Sequence, residues 1–126
     1  MPGVDVCASA LLTTHGLRSL DAGDSQFRPL YGGSQFDRDG AYHQGTVWTW
    51  LIGPFALAHF RVYGDRAAAQ QLLQTAGTQV AGFGLGTLAE IADATEPFRP
   101  NGCIAQAWSV AEILRAWRAL SVPQAP

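Results

Sequence analysis

The residue pair Gly64-Asp65 separates two stretches of helical periodicity and leaves the chain almost no freedom between them. Upstream, Trp48, Leu51, Ile52, Phe55, His59 and Val62 recur at the spacing of one helix face, predicting a helix from Thr46 to Tyr63. Downstream, Asp65 is a natural N-cap, and Ala69, Leu72, Leu73, Ala76, Val80 and Phe83 form a second apolar face. Two helices joined this tightly pack back on each other as an antiparallel pair. Pro54 lies inside the first helix, where a missing backbone donor predicts a kink between Trp50 and Pro54.

Every other connection is long. Val4 to Leu12 reads as the end of a helix, and His15 to Asp39, rich in Gly, Pro, Asp, Ser and Arg, reads as a loop without helical period. Gly82, Gly84 and Gly86 terminate the second helix and open another loop that runs through Glu90, Pro97 and Pro100 to Asn101. A final helix from Ile104 to Ser121 presents Ala107, Val110, Ala111, Leu114 and Trp117 on one face. No strand alternation stands out, so the chain is read as all-α, a single domain over residues 1–126.

Composition narrows the function classes. A content of 48% hydrophobic and 14% charged residues is apolar for 126 residues and predicts surface that meets a partner. Eight basic residues and a net charge of −2 give no basic patch, so neither nucleic acid nor anionic membrane is an expected partner. Cys7 and Cys103 are too far apart for a zinc motif or a disulfide framework and are read as reduced core residues. His15, His43 and His59 have no ligand spacing, so no metal and no cofactor is expected. Gly82-Phe83-Gly84-Leu85-Gly86 precedes no strand–helix unit and reads as a helix terminator rather than a phosphate loop. Met1 to Asp5 lacks the features of a secretory signal, and the expectation is a cytoplasmic protein.

Two blocks carry the functional signal. One is Ala41-Tyr42-His43-Gln44-Gly45-Thr46-Val47-Trp48-Thr49-Trp50. The other runs from Gly86-Thr87-Leu88-Ala89-Glu90-Ile91-Ala92-Asp93 into Arg99-Pro100-Asn101-Gly102-Cys103-Ile104-Ala105-Gln106-Ala107-Trp108-Ser109. Both resemble the C-terminal catalytic region of glycogen debranching enzymes, the amylo-α-1,6-glucosidase family, from about Val4 to Leu120. The resemblance implies part of an (α/α)6 toroid, a C-terminal segment of alternating inner and outer helices, with the long loops gathered at the sugar-binding end.

It further implies that Glu90 is the general base of an inverting glycosidase, activating water against the anomeric carbon. The general acid that inversion requires across the glycosidic bond has no counterpart in these residues. Tyr42, His43, Gln44, Trp48, Arg99, Gln106 and Trp108 are the implied substrate-binding residues, with an α-glucan or oligosaccharide as ligand. Asp93 or Glu96 is expected to orient Arg99 through a salt bridge. Asn101, Ile104 and Thr49 depart from the arginine and two prolines that the resemblance predicts at those places.

Two other readings fit the same residues. The chain is a non-catalytic segment that binds glucan, or a helical interaction module. In either case a missing N-terminal barrel segment, or self-association, covers its apolar flank.

Overall fold

In a computed structural model, which describes residues 3–84 and 86–122, the hinge takes the form its two residues demand. Gly64 adopts a left-handed backbone with φ of 70°, and its N–H closes the preceding helix on the Phe60 carbonyl at 2.8 Å. The Asp65 carboxylate then accepts from the Ala68 N–H at 2.9 Å, starting the next helix. With the chain's other helices numbered in order, α1 is Gly3–Leu11, α2 Gln35–Ala41, α3 Ile52–Tyr63, α4 Arg66–Gly82 and α5 Ala107–Ser121.

Helices α3, α4 and α5 pack mutually around one apolar core built from Ile52, Phe55, Ala56, Leu73, Ile113 and Leu120. Contacts fix their directions. Trp50 lies 6.3 Å from Trp108 at the start of α5, while Arg66 and Gln70 both donate to the Leu120 carbonyl at its end. Helices α3 and α5 therefore run parallel, with α4 antiparallel to both. Gly53 permits the close approach: a Cβ there would stand 2.5 Å from the Glu112 carbonyl oxygen. Helix α1 packs against α3, and Val4, Cys7, Ala8 and Leu11 join the same core.

The all-α expectation needs correction. About half the chain is helical, and the loops contribute a small antiparallel meander of five strands: β1 Leu12–Thr13, β2 Gly16–Arg18, β3 Val47–Trp48, β4 Ile91–Ala92 and β5 Pro100–Asn101. Neighbours in sequence are neighbours in the sheet, with Leu17 opposite Trp48 and Trp48 opposite Ile91. Strands of two or three residues leave no alternation for sequence periodicity to detect.

Three further boundaries move. The helix expected from Thr46 begins only at Ile52, because Val47–Trp48 is a strand and Thr49–Leu51 a 3-10 turn. Pro54 thus falls in the first turn of α3, where an N–H has no intrahelical acceptor, and the expected kink has no cause. The loop expected from His15 to Asp39 contains β2 and the start of α2. Ser34 and Asp37 cap that helix reciprocally, the Asp37 N–H donating to Ser34 Oγ at 3.2 Å and the Ser34 N–H to Asp37 Oδ2 at 3.0 Å.

The last helix begins at Ala107 rather than Ile104, and it buries a different face from the one expected. Ser109, Ile113, Ala116 and Leu120 point inward, whereas Ala107, Ala111, Leu114 and Trp117 are exposed and Val110 is half-buried. Apolar residues occupy both faces of this helix, so its periodicity alone did not decide between them. Met1, at the start of the segment with no signal features, and Leu85, within the glycine-rich terminator, lie outside the described residues.

Candidate active site

Glu90 is held by backbone bonds from three directions before its side chain is considered. The Gln106 N–H donates to the Leu88 carbonyl at 2.9 Å, and the buried Ser109 hydroxyl donates to the Ala89 carbonyl at 3.0 Å. These tie the start of α5 to the two residues before Glu90. The Glu90 N–H donates to the Cys103 carbonyl at 2.9 Å, and its own carbonyl accepts from Thr49 N–H at 3.4 Å. That last bond extends the β3–β4 ladder by one rung, and a proline at position 49 would lack its donor. Glu90 thus sits where the sheet, the 3-10 turn and α5 meet.

The two carboxylate oxygens have separate donors. Tyr42 donates its phenolic O–H to Oε1, and Cys103 donates its backbone N–H to Oε2 at 3.0 Å. Gly102, with φ of 70°, makes the turn that presents this N–H. Burial, reinforced by the bond to Glu90, pushes the Tyr42 phenol up to about 12. Tyr42 therefore remains a donor throughout the physiological range.

Tyr42 is fixed in turn by its own main chain. Its carbonyl accepts from Thr46 Oγ1 at 2.6 Å and from the Trp48 indole N–H at 3.2 Å. Its ring lies 4.8 Å from both His43 and Trp48. His43 and Trp48 stack in parallel at 5.3 Å, and Trp108 stands 6.2 Å from Trp48. Trp48 is only 6% exposed and forms the floor of this cluster, whereas Trp108, 49% exposed, offers an open face. Trp50 also lies 6.3 Å from Trp108, so it bridges the 3-10 turn to α5.

Of the expected residues, Tyr42 reaches Glu90 directly, and His43, Trp48 and Trp108 are joined to Tyr42 through successive ring contacts. The tyrosine does not directly precede a helix start, as the sequence suggested, but ends α2 and leads into β3. Gln106 is the N-cap residue of α5 without a side-chain cap bond. Gln44 lines a separate cavity with Ser25, Phe27, Arg28 and Gly40, and its backbone bonds go to Arg28 and Ala41 rather than to Glu90.

Arg99 is exposed and contributes its carbonyl, which accepts from the Asp93 N–H at 3.0 Å. The expected salt bridge to Asp93 or Glu96 is not formed; among the described residues the ion pair is Glu112–Arg115. Buried Asp93 instead accepts from the Tyr31 N–H at 2.8 Å and from Asn101 Nδ2 at 2.9 Å. It ties the loop after β2 to strand β5.

Sequence reasoning missed Tyr31, Gly102 and Cys103. The Tyr31 ring lies 5.9 Å from Tyr42, and its N–H is the donor to Asp93. Cys103, like Cys7, was expected to be a core residue; Cys7 does pack there partly buried, but Cys103 is exposed beside the Glu90 carboxylate. The signal available in the sequence is the Asn101-Gly102 pair, a dipeptide that marks turns. Among the described residues no three His, Cys, Asp or Glu side chains gather as a metal site, and no helix is long and apolar enough to cross a membrane.

A carboxylate with two donors, one of them the first ring of an aromatic cluster, is suited to a polyhydroxyl ligand: the rings offer flat apolar faces to C–H groups, and the carboxylate retains lone pairs for hydroxyl or water. Residues 3–115, which include every part of this arrangement, match the family model described as amylo-alpha-1,6-glucosidase. The chain belongs to that family. Within the amylo-alpha-1,6-glucosidase family it is similar to the glycogen debranching enzyme of the yeast Saccharomyces cerevisiae, 42% identical over 53 residues. That match covers 36% of this chain and 4% of the yeast protein, so the chain corresponds to a small part of that relative.

Proposed function

We propose that this chain supplies the general-base half of an inverting α-1,6-glucosidase site, with Glu90 as the base that draws a proton from water attacking the anomeric carbon of a branch glucose. The observation that carries the reading is the Glu90 carboxylate held by Tyr42 and Cys103 beside an aromatic wall, within the segment that matches the family. Inversion requires a protonated carboxyl on the opposite face of the sugar, roughly 6.5–9.5 Å from the base. Asp93 is committed to Tyr31 and Asn101, and the proposed acid belongs to another segment of the same glucosidase.

In this reading the helical layer is part of a larger (α/α)6 ring in which α3 and α5 are inner helices. The parallel direction of α3 and α5, with α4 turned back between the sheet end and the Asp65 end, supports that arrangement. The open face of Trp108 and the edge of His43 receive the glucan, and the free thiols fit the reducing cytoplasm.

The test is glucose release from a limit dextrin by a longer protein that carries this segment. Glu90→Gln should lower kcat by about 10²–10⁴-fold, the usual contribution of a general base, with KM little changed. Full activity of that variant would remove Glu90 from the role.

A further inference from the structure

Gly102 occupies a backbone conformation that L-residues rarely adopt, and it does so at the one place where its missing side chain is adjacent to the candidate base. A Cβ on Gly102 would lie 2.5 Å from Glu90 Oε2, 3.1 Å from Glu90 Cβ and 3.1 Å from Ile91 Cγ1. The first of these is the free end of a flexible side chain, whereas Ile91 is buried in strand β4 with no exposed surface. Any side chain at 102 is therefore relieved most cheaply by swinging the Glu90 carboxylate away. That motion breaks the bond from the Cys103 N–H, since the same turn that exposes Gly102 aims this N–H at Oε2.

The opposite oxygen shows why the direction matters. Oε1 is bound by Tyr42, whose ring is set by the bonds on its carbonyl and by the His43 and Trp48 rings. The carboxylate plane is thus defined by two points: a phenol on one side and a backbone N–H on the other. Removing either donor leaves one point and a free rotation about the last side-chain bond.

We propose that Gly102 is a positioning residue for Glu90: by carrying no Cβ and turning through the left-handed region it lets the Cys103 N–H fix Oε2, which together with the Tyr42 hydroxyl on Oε1 holds the carboxylate toward the aromatic wall. This deepens the glucosidase reading and rests on it for the meaning of the position, but the geometry is testable without any substrate.

The experiment follows the Cys103 amide proton by NMR across the acid range in the 126-residue chain. An amide bonded to a carboxylate changes its shift as that carboxylate is protonated, so the unmodified chain should show a pH-dependent Cys103 shift that Glu90→Gln abolishes. Gly102→Ala should cut the amplitude at least twofold. Gly102→Asn is the companion variant, because asparagine enters the left-handed region several-fold more readily than most residues yet still carries a Cβ; it too should lose at least half the amplitude.

An unchanged Cys103 titration in a folded Ala or Asn variant overturns the inference, as does a Cys103 shift in the unmodified chain that ignores Glu90. Loss of helical circular dichroism in both variants would make Gly102 a requirement of the fold itself and overturn the positioning role equally. Failure of the glucosidase reading looks different: Glu90→Gln would leave glucose release intact while the amide titration behaved as described.

Discussion

The Tyr42 hydroxyl donates to the Glu90 carboxylate across a sequence separation of 48 residues, joining the end of α2 to the entrance of β4. Neither residue sits on a helix face, and neither is reached by the other's local structure. The pairing spans the adjacent strands β3 and β4, and burial together with this bond gives the phenol an unusual titration.

That titration is the first prediction. Burial and the bond to Glu90 raise the Tyr42 phenol to about 12, so the neutral phenol is favoured in the fold relative to the unfolded chain. The resulting stabilisation is complete below pH 10 and disappears as pH rises from 10 through 12. Urea midpoints measured across that window should fall more steeply for the native sequence than for Tyr42→Phe. Parallel midpoint curves for the two proteins would contradict it. Tyr63, also raised by its bond to Asp5, is exposed and common to both proteins, so it cancels in the comparison.

Gly53→Ala should run against helix propensity. In an exposed helix interior the change stabilises by roughly 1 kcal/mol. Here the new methyl meets the Glu112 carbonyl at 2.5 Å, and neither backbone can yield without separating α3 from α5. Overpacking of this kind costs about 1–3 kcal/mol, so a net loss of melting temperature is expected, read by thermal circular dichroism. A rise in melting temperature would show that the two helices adjust freely.

Ser109→Ala removes the hydroxyl that donates to the Ala89 carbonyl and leaves a buried acceptor without its partner. The expected cost is about 1–3 kcal/mol. The same bond anchors the segment leading into Glu90. Hydrogen exchange should therefore quicken at Glu90 and Ile91 more than at α4, which does not share the contact. Uniform change across the chain would place the effect in global stability alone.

Leu114 and Trp117, exposed by 61% and 47%, line the outer edge of a groove of about 420 Å³ that α4 and α5 form with Leu73, Val80 and Leu88. Such a surface binds hydrophobic dyes. Replacing both with serine should abolish most of that fluorescence while changing stability by less than about 1 kcal/mol, since surface substitutions usually fall within 0.5 kcal/mol each. Undiminished dye binding would direct attention to another patch.

The antiparallel helix pair was legible because Gly64 and Asp65 encode its turn by local chemistry, a left-handed backbone and a side-chain cap, which need no tertiary information. The start of α3 was not. Trp48, Leu51, Ile52 and Phe55 have helical spacing, yet Trp48 belongs to a strand whose partners, Leu17 and Ile91, lie far away in sequence. Helix α5 was located but its buried face was not, because Ile113 and Leu120 compete with Leu114 and Trp117 for the core, and only the position of α4 decides between them. The family resemblance brought Glu90, Tyr42 and Trp108 to attention. It included Gly102 in a matching block without a role, and the importance of that residue lies in an atom that is missing.

A meander in which strand order equals chain order has one consequence for ligands. Tyr42 is tied to β3 through its carbonyl, which accepts from the Trp48 indole, and Glu90 directly precedes β4, so the bond between the two side chains and the pairing of those strands support each other. A molecule that binds Tyr42 and Glu90 only while they are joined stabilises, by mass action, the rung between Trp48 and Ile91 as well. A true ligand of this site would announce itself first as slowed amide exchange in two-residue strands that it never touches.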